Sequence, residues 1–533
     1  MATQTEPGTS ARPESQLTAP PGRVRAGIAG VLAAAAAVAA GELVAGVVAG
    51  ARSLVISVGD QVIDLVPSAV KDFAVAVFGT ADKIALLVGI AILLTIFAAA
   101  VGIAAAGRFA LGAGGVALFG LIGLAAGLGQ TYGAAAGVAA LPALAATAAG
   151  VAALRLLVAP PRRSQTGAGR PQQRERDVDR RGFIRAAGAV AVLAASVGGA
   201  GRYLQTRTSA AVSRAGVILR RADRPGPPIP AGVSADVAGM TPFVTPNAEF
   251  YRIDTALAVP NVAVEGYRLR VTGMVDRPLT LSFSDLEAME LTEADITLTC
   301  VSNEVGGGLL GNARWLGARL GDVLERAGVQ PGATQIVGRS VDGYTCGFPV
   351  QTAFDGRDAL IAIGMNGQPL PLEHGFPVRL VTPGLYGYVS ATKWLAEIEL
   401  TTYEAFDHYW ARRGWARQAP IKTQSRIDVP RGFARLAPGR VAVAGVAWAQ
   451  TRGIARVEVQ IDDGPWARAR LAEELNDVTW RQWVYEWDAT PGNHQLRVRA
   501  TDSTGHTQPE ERVAPIPDGA TGWHSVFVRV QAA

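Results

Sequence analysis

Cysteine is almost absent: Cys300 and Cys346 are the only two in 533 residues. With no CxxC pair, the chain cannot build a zinc ribbon, an iron–sulfur cluster or a CxxCH haem site. Sequence alone leaves open whether the two cysteines are bridged, because a disulfide needs closely placed Cα atoms. Histidine is also scarce. The five are His374, His408, His494, His506 and His524, all in the second half, so no bis-histidine haem can sit in the apolar first half. Charged residues make up 18%, below an ordinary soluble chain, and the shortfall is concentrated in the first 200 or so residues. The formal charge of +5 comes mostly from Arg. Much of it flanks apolar segments, where it orients a chain in a bilayer, so a nucleic-acid partner is not expected.

What is present is apolar. A bilayer-spanning helix needs about 20 mostly apolar residues. Four Ala/Gly/Leu-rich segments reach that length, at about 26–50, 84–106, 109–129 and 133–154. Glu42 is the one acid inside them; it marks either a functional site or a helix end that reaches the interface. Residues 51–83 carry Asp60, Asp64, Lys71, Asp72 and Asp82 and read as an extracytoplasmic loop with an interfacial helix near 67–78. An Arg-rich linker follows, then Arg180-Arg181-Gly182-Phe183-Ile184 ahead of a short apolar run at 186–201. That order resembles a twin-arginine export signal; the alternative is an ordinary positive-inside anchor. Arg23 and Arg25 put the N-terminus inside, four spans return the chain to the Arg-rich linker, and a fifth carries the rest outside. The sequence therefore predicts a multi-pass protein of a bacterial cell membrane with its later domains extracytoplasmic. Whether the fifth segment is cleaved stays open.

Beyond residue 205 the pattern changes. Residues 267–273 alternate like a half-buried strand. Ser284 with Glu287 suggests a capping box. Residues 296–300 read as a buried strand ending at Cys300, and 317–327 as an amphipathic helix. Residues 359–365, Asn366-Gly367 and 368–370 read as strand, turn and strand. This region is predicted α+β. Residues 441–447, 455–461 and 495–501 alternate cleanly, Asp462-Asp463-Gly464 signals a hairpin, and Trp448, Trp466, Trp480, Trp483 and Trp487 supply core area. Short strands at that spacing predict a β-sandwich of immunoglobulin type. The expected domains are a membrane region at 1–158, a linker and fifth segment at 159–204, an α+β domain at 205–438 and the sandwich at 439–533.

Cys300 ends a strand and precedes Val301-Ser302-Asn303. Farther on stand Met365-Asn366-Gly367-Gln368-Pro369-Leu370-Pro371, His374-Gly375-Phe376-Pro377-Val378-Arg379, Pro383-Gly384, Tyr386-Gly387 and Lys393-Trp394. This ordered block resembles the sulfite oxidase family of molybdopterin-dependent oxidoreductases, from about Thr241 to the end. The resemblance implies a molybdenum–molybdopterin cofactor with Cys300 as thiolate ligand, a soft donor suited to a metal that carries sulfur ligands. It implies cofactor binding by His374, Arg379, Ser390, Thr392 and Lys393, whose charges and hydroxyls suit the pterin phosphate. Tyr251 and Arg252 resemble a first cofactor-contacting strand. Asp342, in Asp342-Gly343, is either a cofactor contact or a plain turn residue. The last domain resembles the family's dimerisation domain, which implies a homodimer.

Two departures bear on substrate. Where sulfite-oxidising members carry Arg shortly after the Asn, this chain has Glu304; where they carry Tyr after paired arginines, Arg412-Arg413 is followed by Trp415. Trp415 and Arg413, with Arg252, are the expected pocket residues, and Arg426 could add a further charge. Sulfite is disfavoured and a neutral sulfur compound or sulfoxide favoured. The implied reaction is oxygen-atom transfer, with electrons exchanged with a separate cytochrome or quinone-linked protein. The competing readings are a degenerate, membrane-tethered scaffold or binding module, and a transporter built on the helices; scarce intramembrane charge speaks against the latter.

Overall fold

Ala, Leu and Gly in unbroken runs satisfy the backbone within helices, and the described residues of the N-terminal unit are helical except at short breaks such as 51–53 and 108. The computed structural model describes residues 22–48, 51–65, 82–129, 136–158, 172–207, 210–256 and 258–532. The helices are α1 (Arg23–Val47), α2 (Leu54–Leu65), α3 (Asp82–Gly107), α4 (Phe109–Gly129), α5 (Ala136–Val158) and α6 (Gln172–Arg207). Among the described residues, five helices are long and apolar enough to cross a membrane, four of them matching the expected spans and the fifth lying within 180–216. α1 packs against α3 and α5. In the stretch read as a loop, a helix forms at Leu54–Leu65, where the Ser53 Oγ accepts from the Ile56 N–H (3.4 Å); the expected interfacial helix at 67–78 lies outside the described residues. Glu42, in the last two turns of α1, is buried against its neighbours at 7% exposure.

The second unit is built on four sheets. One runs Leu291–Thr299, Leu310–Arg319, Leu360–Met365 and Gln368–Pro369, with Arg379–Val381 also paired to Leu360–Met365. Another runs Leu279–Leu281, Leu269–Gly273, Leu395–Thr401, Gln335–Ser340 and Thr345–Pro349, its Leu269–Gly273 and Leu395–Thr401 pair parallel. Helices Phe283–Ala288 and Leu320–Ala327 complete an α+β arrangement. Asn366 (φ 52°) and Gly367 (φ 74°) make the expected tight turn.

Two local expectations are corrected. The capping box is Ser282 with Asp285, not Ser284 with Glu287: the Asp285 N–H donates to Ser282 Oγ (3.1 Å) and the Ser282 N–H to Asp285 Oδ2 (2.7 Å). This register turns Phe283 and Leu286 into the core. Residues 317–319 belong to a strand paired on both sides, and the helix starts at Leu320.

The last region is a two-sheet β-sandwich. Gln424–Val429, Gly439–Trp448, Arg481–Ala489 and Arg470–Leu471 form one sheet; Arg435–Leu436, His524–Val530, Gly492–Asp502, Ile454–Ile461 and Ala467–Arg468 form the other. Its first strand lies ahead of the expected start at Gly439, in a stretch with no clean alternation. Trp483 and Trp487 fill the sandwich core, whereas Trp448 and Trp480 pack with the α+β core. Trp480 Nε1 donates to the Phe243 carbonyl (2.9 Å) and its backbone N–H to Thr297 Oγ1 (2.8 Å). Trp466 stands half-buried, edge-on to Trp523 at 4.8 Å.

Candidate active site

Strand Leu291–Thr299 delivers Cys300 to a cavity of about 110 Å³. The residue is fixed by its backbone: its N–H donates to the Leu309 carbonyl (2.9 Å) and its carbonyl accepts from the Asn303 N–H (3.1 Å). Asn303 Oδ1 then accepts from the Leu309 N–H (2.8 Å), closing the loop. Both cysteines are buried and free. Burial pushes both thiols up, Cys346 to about 11.

The cavity also gathers Tyr251, Asp342, His374, Arg379 and Lys393. Arg379, 5% exposed, donates to the carbonyls of His374 (3.0 Å), Ala391 (3.3 Å) and Leu380 (3.3 Å), and its guanidinium lies 5.0 Å over the Trp315 ring. Burial lowers it to about 10. No carboxylate pairs with it among the described residues, so a buried cation faces the cavity without a counter-ion, an expensive state unless an anion arrives. Lys393 Nζ donates to Asp254 Oδ2 (2.8 Å) and the Glu373 carbonyl (3.1 Å); burial pushes it down to about 8, against the opposing pull of Asp254. His374 Nε2 lies 3.1 Å from the Asn247 carbonyl, and burial, then the Arg379 charge, push it down to about 4. Tyr251 stacks on Phe250 at 5.3 Å. Asp342 takes the turn role, its Oδ1 accepting from the Tyr344 N–H (3.1 Å), and it also lines the cavity.

Six expected residues do not line the cavity. Ser390 Oγ donates to the Tyr386 (3.1 Å) and Leu385 (3.3 Å) carbonyls, and Thr392 Oγ1 to the Gly338 carbonyl (3.3 Å); both hydroxyls serve the backbone. Arg252 is exposed and paired with Asp254 (2.8 Å). Arg413 lies 3.5 Å over the Tyr409 ring and donates to its carbonyl (2.9 Å). Trp415 packs one layer back, edge-on to Trp410 (5.9 Å) and tilted against Tyr388 (5.8 Å). Arg426 is held by Asp428 (2.7 Å), the Gly307 carbonyl (2.8 Å) and Thr241 (2.9 Å), and Glu304 is 72% exposed and 3.8 Å from Arg512.

Sequence reasoning missed Asp254, Tyr344, Tyr388, Trp394 and Trp410, which also line the cavity. Trp394 is the partial exception, since it stands in the Lys393-Trp394 motif. The Tyr344 hydroxyl donates to the Tyr388 carbonyl (2.6 Å), and Tyr388 donates to the Ala416 carbonyl (2.7 Å). Their phenols are tied to backbone, and the wall they present is largely ring. Among the described residues no cluster of three His, Cys, Asp or Glu could hold a metal ion. A single buried thiol in the same cavity as an unbalanced guanidinium instead suits a metal that arrives on an anionic, sulfur-bearing carrier.

Comparison with known proteins accounts for this arrangement. Residues 256–410 match the oxidoreductase molybdopterin binding domain, and 418–531 the Mo-co oxidoreductase dimerisation domain. Human mitochondrial sulfite oxidase is 33% identical over 341 residues, covering 54% of this chain and 62% of that protein. Chicken sulfite oxidase is 32% identical over 334 residues, covering 53% and 72%. An uncharacterized oxidoreductase of Bacillus subtilis is 38% identical over 149 residues, covering 28% and 72%. The chain thus spans 62% of the human relative's length.

Proposed function

Because this chain belongs to the sulfite-oxidase-like molybdopterin oxidoreductases, we propose that it is a membrane-anchored enzyme that moves an oxygen atom to or from a small uncharged sulfur compound, of which a sulfoxide is the model. The family's cofactor is molybdenum–molybdopterin, and the residues present fit it. When bound, it supplies two-electron oxygen-atom transfer. Cys300 would give the protein's thiolate. Arg379 would hold the phosphate and gain the anion it lacks, with His374 and Lys393 beside it. Tyr251, Tyr344, Tyr388 and Trp410 would exclude water and shape the substrate's side of the cavity, while Asp342 steadies the turn that carries Tyr344.

The observation that carries the substrate class is where the cations lie. Arg252, Arg413 and Arg426 sit outside the cavity on carboxylates, carbonyls or an aromatic face, and Lys393 is paired with Asp254. Once Arg379 holds the phosphate, an oxyanion such as sulfite would meet aromatic walls without an uncommitted cation, and desolvating it there would cost several kcal/mol. The five apolar helices support a multi-pass anchor, with the catalytic region extracytoplasmic by the arginine pattern. The expected domain division with the sandwich start moved ahead to about Gln424, an immunoglobulin-type sandwich, dimerisation through it and a separate cytochrome or quinone-linked electron partner complete the proposal.

Metal analysis of the purified chain tests the reading. Molybdenum near one per chain, with an altered metal-site spectrum in Cys300→Ser, is expected, as is turnover of a sulfoxide in preference to sulfite. A folded protein that takes up no molybdenum in cofactor-competent cells would sink it and favour the tethered scaffold.

A further inference from the structure

Helix α6 presents one stripe to the rest of its unit. Phe183, Ala187, Val190, Ala194, Gly198 and Gly201 recur every third or fourth residue and are buried or half-buried. Between them Ile184, Val192 and Leu193 are exposed at 58%, 68% and 64%. A helix with a packed small-residue stripe and an apolar outer face is suited to lipid on one side and protein on the other.

The stripe meets α1 along its length. At one end the Arg25 guanidinium lies 4.6 Å over the Phe183 ring. A Cβ on Gly198 would lie 3.5 Å from the Ala39 Cβ, in ordinary contact. At Gly201 the backbones themselves touch: a Cβ there would come within 2.8 Å of the Glu42 carbonyl, and a Cβ on Gly46 within 2.6 Å of the Gly201 oxygen. At the far end, Gln205 Nε2 donates to the Glu42 carbonyl (3.0 Å) and to Glu42 Oε2 (3.2 Å), while Ser53 Oγ donates to Glu42 Oε1 (2.6 Å). Positions rise together along both helices, so α1 and α6 run parallel. This agrees with arginines on the same side at both starts.

We propose that α6 is a permanent fifth helix of the bundle and not a removable export leader, with Gln205–Glu42–Ser53 as its polar lock. The inference rests on the membrane reading above. A carboxyl within an apolar bundle is costly unless its oxygens are satisfied. Among the described residues, removing α6 would leave the Glu42 carboxyl with Ser53 alone as a hydrogen-bond partner and would uncover the face of α1 that carries Ala39, Glu42 and Gly46. The arginine pair then orients the helix without marking it for loss, and the catalytic region stays tethered through residue 205.

Cross-linking tests this in the full chain. Ala39→Cys with Gly198→Cys places two Cβ atoms at a disulfide's separation. The variant also carries a specific protease site within 159–171 and is oxidised in isolated membranes before cutting. A full-length band without reductant that splits into two with reductant is expected. Ala39→Cys with Leu193→Cys, which faces outward, gives two bands either way. Two bands without reductant for the first pair, in protein that gel filtration shows to be folded, would overturn the docking. The unaltered chain with a C-terminal tag is expected in the membrane pellet at its full 55.4 kDa; a tagged fragment beginning near residue 202 would overturn retention. A full-length, cross-linked chain in the soluble fraction would support the docking and refute the membrane reading instead.

Discussion

Arg379 and Arg252 were expected to act alike, and the structure separates them. The first is buried on carbonyls and faces the cavity; the second is exposed on Asp254. Arg379→Met removes a charge-assisted phosphate contact, each worth about 1.5–3 kcal/mol, so pterin and molybdenum retained after equal dialysis should fall at least roughly tenfold. Arg252→Met should change retention little. Equal losses in both variants would mean that the phosphate does not lie at Arg379. Cys300, His374 and Arg379 were legible because each stands in a motif of fixed spacing. Asp254 was not: it lies in an irregular segment, and only the fold brings it to Lys393, 139 positions away. Ser390 and Thr392 misled because a hydroxyl's partner is invisible in sequence, and here backbone carbonyls claimed both.

At the scale of elements, the turn after Leu372–His374 sets the site. Gly375 has φ 107°, and a Cβ there would meet Lys393 Cβ at 3.0 Å and Arg379 Cβ at 3.1 Å. Gly367, in the Asn366-Gly367 turn, has φ 74° and open space around it. Alanine at either position incurs a backbone cost of about 1–2 kcal/mol. Gly375→Ala also pushes the two cations apart. Both variants should melt lower, but only Gly375→Ala should lose cofactor; a thermal melt and a molybdenum assay on the same preparations separate the two effects. Strands and turns with clean alternation were readable from the sequence. The capping box was not, because Ser282 and Ser284 offer overlapping registers and burial of Phe283 and Leu286 decides between them. Residues 317–319 were drawn into the helix by continuous apolar spacing, although pairing of all three with Leu360–Ala362 makes them strand.

Across the whole molecule, all ten tryptophans lie beyond residue 300, so intrinsic fluorescence reports the second unit within the intact chain. That unit holds three histidines that burial keeps neutral. His374, His408 and His524 are each lowered from 6.5 to about 4. The unfolded chain therefore binds these protons first, so stability is complete above about 6.5 and drains as pH falls from 6.5 to 4. His494 runs the other way: contact with Asp462 and the Thr490 carbonyl outweighs burial and raises it, so its contribution is present below 6.5 and is lost as pH rises through its folded value. Three against one makes acid the damaging direction. The fluorescence melting temperature of the detergent-solubilised chain should drop between pH 6.5 and 4. The drop should shrink in His408→Gln with His524→Gln, both outside the cavity. It should also shrink in cofactor-loaded protein, where the phosphate beside His374 would favour its protonated form and bring its value back toward 6.5. An acid drop unchanged in the double variant would assign acid sensitivity to the carboxylates, Asp502 first, whose hydrogen bonds from Thr504, Thr423 and Arg452 outweigh burial and hold it well below the usual range.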